Sequence, residues 1–465
     1  MSGTSLQSSP PSTPPQFPRL CRVLETIVFA GLLVVIVLVA IPYGTVDMWW
    51  EALFECMVFV LTALWIVTVL LRGDWQANRL LMALPMIIIT AYVFAQTIVW
   101  PGSWLTQGSG PIARHTLTID PYQTHLTARK ALALTLFLSL LLIHTAATKR
   151  LRTLVKVIIG LGLASALFGI LRQVLQAPDS PGGFVLPFLF YGAGYGQFIS
   201  ANVFAYLIHM ALALVAGLVL GGAVPGKQVP FYLAIGVIMF AALVLSNSRG
   251  GVLSFVGQSI FVIFIAAKWY SNRRLEQHDR IQSKWLFFIQ SPYLFRGLAL
   301  ILILGTLIFG IFWIGGDRLS GKEAFSQEGL EGTSRKEIWA ASWQLVKQHP
   351  WTGVGFGAYF LAIPEQQIGS GKIKIEYAHN DYLDLAASGG FVAVLLAAWF
   401  IGAIIWRTRA SMKSADLFRR AAGLGATTGI LGVGMHSFVD FGLQITGIAV
   451  LFAALLAILS AGLKK

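Results

Sequence analysis

Apolar residues run through this chain in stretches of about twenty, the length an α-helix needs to cross the hydrocarbon core of a bilayer. Six fall at 23 to 41, 48 to 71, 80 to 99, 127 to 146, 153 to 175 and 199 to 221. Six more follow at 229 to 246, 251 to 268, 297 to 314, 383 to 406, 421 to 440 and 442 to 463. The pattern predicts an all-α polytopic membrane protein of about 12 transmembrane helices, with a long outward loop, 315–382, between helices 9 and 10. No repeat of 20 to 50 residues stands out. Residues 1–18, rich in Ser, Pro and Thr, cannot build a core and read as a disordered tail, which leaves 19–465 as a single membrane domain. Arg19 and Arg22 precede a first run with no small-residue cleavage site after it, so a retained span is expected rather than a signal peptide.

Composition agrees: 56% of the 465 residues are hydrophobic and 12% charged. The net charge of +14 raises the question of nucleic acid, but the basic residues fall in short clusters between apolar runs instead of forming one face, and nucleic acid is set aside. Their placement gives sidedness instead. With an even number of spans both termini share one side, and the loops on that side hold 22 of the 34 Lys and Arg residues, among them Lys149, Arg150, Arg152, Arg273, Arg274, Arg407, Arg409, Arg419 and Arg420. Seven of the other twelve sit in the long loop, which is too long for the positive-inside rule to count. The termini are therefore expected in the cytoplasm, and loop 315–382 and the turn Ser246 to Gly251 face outward. The cytoplasmic loop 268–296 reads as a solvated or headgroup-facing hairpin. Cys21 and Cys56 suggest no disulfide framework and read as small buried residues.

The long loop carries its own signals. Ser334 to Glu337 has the form of a capping box, and Ile338, Trp339, Ser342, Leu345 and Val346 continue with helical spacing. Trp339, Trp343 and Trp351 suit a helix lying along the bilayer surface, which would hold Arg335 at the depth of a lipid phosphate. Gly353-Val354-Gly355-Phe356-Gly357 lacks the strand, helix and Lys-Ser/Thr ending of a phosphate loop and reads as a tight turn. Asn380 or Asp381 can cap the next span, placing His379 just outside it.

His379 is either a general base, since an imidazole exchanges protons near neutral pH, or a surface histidine paired with Asp381 or Glu376. Arg249, at the outward end of two closely joined spans, needs an anionic partner, either structural or a ligand. His436 and Asp440, four apart near the outward end of the eleventh span, are expected to pair on one helix face. Asp47, Glu51 and Glu55 are too few oxygen donors to argue for a metal site.

The order of elements, Ser248-Arg249-Gly250, an Arg before a Trp-containing helix, Gly353 to Gly357, then His379-Asn380-Asp381-Tyr382-Leu383, resembles the O-antigen ligase and polymerase superfamily of bacterial inner-membrane glycosyltransferases. The motif-bearing part covers about 197 to 440. Gly196 to Ala205 also looks like the family's Asn-containing helix start, although Ser200-Ala201 stands where relatives often carry an Asn-Pro-like pair. The resemblance implies transfer of a glycan from undecaprenyl pyrophosphate to an acceptor sugar hydroxyl at the periplasmic face, with inversion, without metal or other cofactor, in the inner membrane with membrane lipids as surroundings. On that reading His379 is the base, Arg249, Arg335 and Arg318 bind pyrophosphate, and Asp381 or Asp384 orients the imidazole. Asn380, Ser248, Asn202, His436 and Asp440 support the site. The acceptor would be lipid A core for a ligase or a lipid-linked repeat unit for a polymerase. A secondary transporter is the alternative from another class, but it should show related halves or paired broken helices.

Overall fold

The structure, a computed structural model, describes residues 17–41, 43–73, 77–99, 116–175, 194–276, 335–366, 368 and 374–461. Among these it is all-helical, with thirteen α-helices and no β-strand. They are α1 Pro18–Leu38, α2 Met48–Arg72, α3 Leu84–Gln96, α4 Pro121–His144, α5 Thr148–Leu175, α6 Ala201–Leu220 and α7 Val229–Leu245. Then come α8 Arg249–Glu276, α9 Arg335–Gln348, α10 Tyr359–Ala362, α11 Asp381–Met412, α12 Leu417–His436 and α13 Thr446–Ser460.

Seven of these, α1, α2, α4, α5, α6, α7 with the short turn before it, and α11, are long and apolar enough to cross a membrane. Three further apolar helices are shorter: α3, α13 and Arg249–Ile265 of α8. The chain is thus a multi-pass membrane protein. Helix α3 is shorter than the expected run 80 to 99 because Pro85 sits in its first turn and the residues before it form a 3₁₀ turn, Ala77–Met82. The expected span 297 to 314, Ser334, residues 1–16 of the tail and residues 277–296 of the cytoplasmic loop lie outside the described residues. Cys21 is buried, but Cys56, expected to be buried as well, is exposed on α2.

Helix α6 is the axis of the bundle. Every residue from Val203 to Val215 is buried, as expected of a helix that is hydrophobic all round. Its neighbour α12 approaches through small residues at four-residue spacing. Ala213, Gly217 and Gly221 of α6 face Ala421, Gly425 and Gly429 of α12, and a methyl group added at Gly217 would overlap the backbone of Gly425. In lipid there is little hydrophobic gain in joining two apolar helices, so close backbone approach through small side chains is what holds such a pair.

The two ends of the bundle differ in chemistry. At one end Arg72 and Arg150 meet Glu25, and Arg419 reaches the carbonyls of Ala146 and Ala461. Glu51 starts α2 and Arg72 ends it, so the opposite end is where residues 45 to 51, 199 to 202, 335 to 338, 374 to 379 and 440 to 446 come together. The helix ends grouped there are those that the alternation of spans assigns to the outward side.

Replacing Gly217 or Gly425 by Leu is expected to destabilise the protein by at least the roughly 1–3 kcal/mol of ordinary overpacking, because backbone rather than a flexible side chain blocks the space. Gly160→Ala on α5, where nothing lies within 4 Å of the added carbon, is expected to be neutral or stabilising by up to about 1 kcal/mol. Thermal unfolding in detergent, followed by the monodisperse fraction on size exclusion, compares the three.

Candidate active site

The segment that precedes α11 is built onto the bundle through a broken helix. Inside α11, Gly390 adopts φ 61 and ψ −161, a region open essentially to glycine alone. The break frees the carbonyls of Ala387 and Ser388 and the N–H groups of Phe391 and Val392. The turn from Pro350 to Gly355 takes up all four: Val354 and Gly355 donate to Ala387 and Ser388 at 2.9 Å each, while Phe391 and Val392 donate to Pro350 and Trp351 at 2.8 and 3.3 Å. Gln96, the buried last residue of α3, clamps the same turn by donating to the Thr352 carbonyl at 2.8 Å and accepting from Phe356 N–H at 3.1 Å. Gly355 has φ 106 and lies so close to Thr118 that a β-carbon would overlap it. The glycine-spaced segment is a tight turn, and its glycines serve docking.

Helix α9, with the turn from Pro350 to Gly357, α10 and the residues leading to His379, forms a cap on the bundle, and its buried face, Ile338, Ala341, Ser342 and Leu345, packs within that cap. Ala341 and Leu345 join Val354, Tyr359, Ile363, Ala378 and Ala387 in a second hydrophobic core. The Ser342 hydroxyl donates to the Ile338 carbonyl and lies 2.6 Å from that of Tyr359, whose phenol burial pushes well above its usual range. Trp343 and Trp351 stay exposed.

Between cap and bundle is a cavity of about 370 Å³ whose lining includes Arg335, His379, Asn202, Asp440, Glu51, Lys374, Tyr377, Phe441 and Gln444. This is within the size range of small-ligand sites, roughly 300–1,000 Å³. His379 has φ 50, a left-handed conformation uncommon outside glycine. Its Nδ1 is buried and lies 3.7 Å from Oδ1 of Asp440, and its ring meets Phe441 edge to face at 4.8 Å. Phe441 also stacks on Tyr377 at 4.7 Å. Burial, with Glu376 and Asp384 nearby, pushes the Tyr377 phenol up, so it remains a neutral hydroxyl.

The other expected site residues divide into those that line this cavity and those that hold it. Asn380 caps α11, accepting from Tyr382 and Leu383 N–H, which fixes where the residue before it stands. Asp384 accepts from the Ala378 N–H at 3.1 Å, and Asp381 accepts from the Ser437 hydroxyl at 2.7 Å and from Leu443 N–H. Asp384 thus holds the backbone just before His379, and Asp381 ties the start of α11 to the end of α12 and the turn after it; the carboxylate beside the ring belongs to Asp440. The expected His436–Asp440 pair does not form, because α12 ends at His436 and the chain turns before Asp440. His436 is instead fully buried and stacked on Tyr206, with ring centroids 3.9 Å apart.

Ser248 donates to Asn202 at 2.7 Å, which ties the Ser-Arg-Gly turn to the start of α6. Arg249 is exposed at the start of α8 and does not line the cavity, although its neighbour Gly250 packs against His436. Arg318 lies outside the described residues. Sequence reasoning missed Lys374, Tyr377, Phe441 and Gln444, which sit in short polar-aromatic connections with no motif. Glu51 was visible as a carboxylate at the outward start of the second apolar run.

Gly390→Ala is expected to cost about 1–3 kcal/mol from backbone strain, to which overlap with the Trp351 backbone adds. The docked turn would then be released to limited proteolysis. Gly402→Ala in the same helix, with open space around it, should leave both the cleavage pattern and stability intact.

No curated protein matches the chain. Residues 234–398 match the family model described as O-antigen ligase. That segment carries Arg249, the broken helix with its docked turn, Arg335 and His379, and over it the chain is similar to the O-antigen ligase superfamily.

Proposed function

We propose that the cavity is where a glycan carried on undecaprenyl pyrophosphate is transferred to an acceptor sugar hydroxyl, on the periplasmic side of a bacterial inner membrane with both termini in the cytoplasm. The match of residues 234–398 to the O-antigen ligase model supports a glycosyltransferase-like ligase or polymerase acting on lipid-linked glycan. The observation that carries the finer reading is that Arg335 and His379, some forty residues apart, line one cavity with Asp440.

In this reading the acceptor O–H gives its proton to Nε2 of His379 as its oxygen attacks the anomeric carbon. The bond from that carbon to the pyrophosphate oxygen breaks, and the electron pair leaves with undecaprenyl pyrophosphate, so the sugar is inverted. Asp440, whose Oδ1 lies 3.7 Å from the buried Nδ1, stabilises by its charge the imidazolium that forms. Arg335 neutralises the leaving pyrophosphate by charge-assisted hydrogen bonds. Arg249, exposed at the start of α8, supplies a second cation for the pyrophosphate as it enters. Charge neutralisation by guanidinium groups gives the leaving group what it needs without a metal ion. The acceptor is lipid A core oligosaccharide, which makes the protein an O-antigen ligase.

With purified protein in nanodiscs and lipid-linked donor, His379→Ala is expected to lower transfer about 10²- to 10⁴-fold while lipid binding persists. Asp440→Asn should fall between this variant and wild type, and Arg335→Ala should weaken donor binding as well as rate. Full transfer by His379→Ala would remove the mechanism. In cells, a deletion strain that accumulates lipid-linked polymer and lacks long-chain glycan on its core supports the ligase assignment; core bearing one repeat unit would make the protein a polymerase.

A further inference from the structure

A site that must attract a pyrophosphate has little use for a carboxylate, yet Glu51 of α2 lines the cavity. Its charge is already balanced: Oε1 accepts from Lys130 Nζ at 2.9 Å and from the Thr446 hydroxyl at 2.6 Å. Lys130 donates also to the Gln444 carbonyl at 3.3 Å. Among the described residues both bonds to the carboxylate fall on Oε1, so Oε2 is the oxygen not engaged by them. The carboxylate is therefore preorganised, neutralised as a pair and aimed by two donors from other helices. A strong hydrogen-bond acceptor held in this way suits a neutral donor better than an anion.

The surroundings fit the same chemistry. Tyr377 and Phe441 stack at 21° to one another and line the cavity, with Phe441 also against His379. Aromatic faces take the apolar C–H face of a sugar ring, and the Gln444 side chain brings an amide able both to donate and accept. Platform, carboxylate and amide are thus combined beside the reacting imidazole, a few apolar surfaces with a small number of placed polar groups.

We infer that Glu51, with the Tyr377–Phe441 platform, is the sugar-recognising wall of the cavity, accepting hydrogen bonds at Oε2 from hydroxyl groups of a pyranose next to His379. The inference rests on the reading of this cavity as the transfer site, and it assigns specificity to a helix outside the segment matched by the family model. The pyranose belongs to the donor or to the acceptor, and the experiment separates the two.

Binding of two probes to protein in nanodiscs would be compared: undecaprenyl pyrophosphate, and undecaprenyl pyrophosphate carrying one N-acetylglucosamine. Wild type is expected to favour the sugar-bearing probe. Glu51→Ala should remove about tenfold or more of that preference, as expected for loss of a hydrogen bond to a charged group, while the bare lipid, beside a Lys130 no longer paired, binds no more weakly than before. Thr446→Val, which takes away a structural bond but keeps Oε2, should retain the preference, and Glu51→Gln should restore part of it.

If instead the probes are bound alike and Glu51→Ala raises the acceptor KM in the transfer reaction with kcat little changed, the wall reads the acceptor. Glu51→Ala acting on neither quantity, or weakening both lipids equally, overturns the inference while a dead His379→Ala keeps the transfer site. Failure of wild type to bind either lipid would instead strike the underlying reading.

Discussion

Everything around the cavity depends on one exchange of backbone hydrogen bonds, that between the broken turn of α11 and the segment from Pro350 to Gly355. Backbone polar groups inside a membrane protein have no water to fall back on, so a broken helix persists only where protein satisfies the freed groups. Here two carbonyls below the break and two N–H groups above it find partners on the same turn, and Gln96 fixes that turn from a third element. The cap cannot drift relative to the bundle without breaking several of these bonds at once. This rigidity places Arg335 and His379, both carried by the cap, against Asp440 and Asn202, which belong to the bundle.

The same logic runs inward. Carboxylates near His379 do not face the ring together; Asp381 and Asp384 are spent on the hydroxyl and amide groups that set the local backbone, and only Asp440 stands beside the imidazole. A left-handed His379 follows from that bracing, with Ala378 held by Asp384 on one side and Asn380 capping α11 on the other. Beneath it α6 and α12 pack through glycine and alanine, so the helices whose outward ends bear Asn202 and lead to Asp440 are themselves fixed in register.

Much of this was legible in the chain. Run lengths placed most of the helices within a few residues, since span length is set by bilayer thickness and needs no knowledge of contacts. A helix through Ile338, Ser342 and Leu345 and a cap at Asn380 or Asp381 followed from local side-chain chemistry, and the structure gives the cap to Asn380. What stayed hidden depends on tertiary partners. Gly390 reads as an ordinary glycine in an apolar run until the turn that fills its break is known, and the stripe at Ala213, Gly217 and Gly221 becomes an interface only beside α12. Four-residue spacing had also put His436 and Asp440 on one helix face, but the helix stops at His436. Glu51 and Phe441 are far from His379 in sequence, and nothing local in either residue announces a shared cavity.

The central claim is that cap and bundle together form one pyrophosphate and sugar site. Its most direct test is an experimental structure of the protein in nanodiscs with undecaprenyl pyrophosphate bound. The account predicts pyrophosphate density within hydrogen-bond distance of Arg335, in the cavity walled by His379 and Asp440. Density lodged at the opposite end of the bundle, beside Arg72 and Arg150, would contradict it.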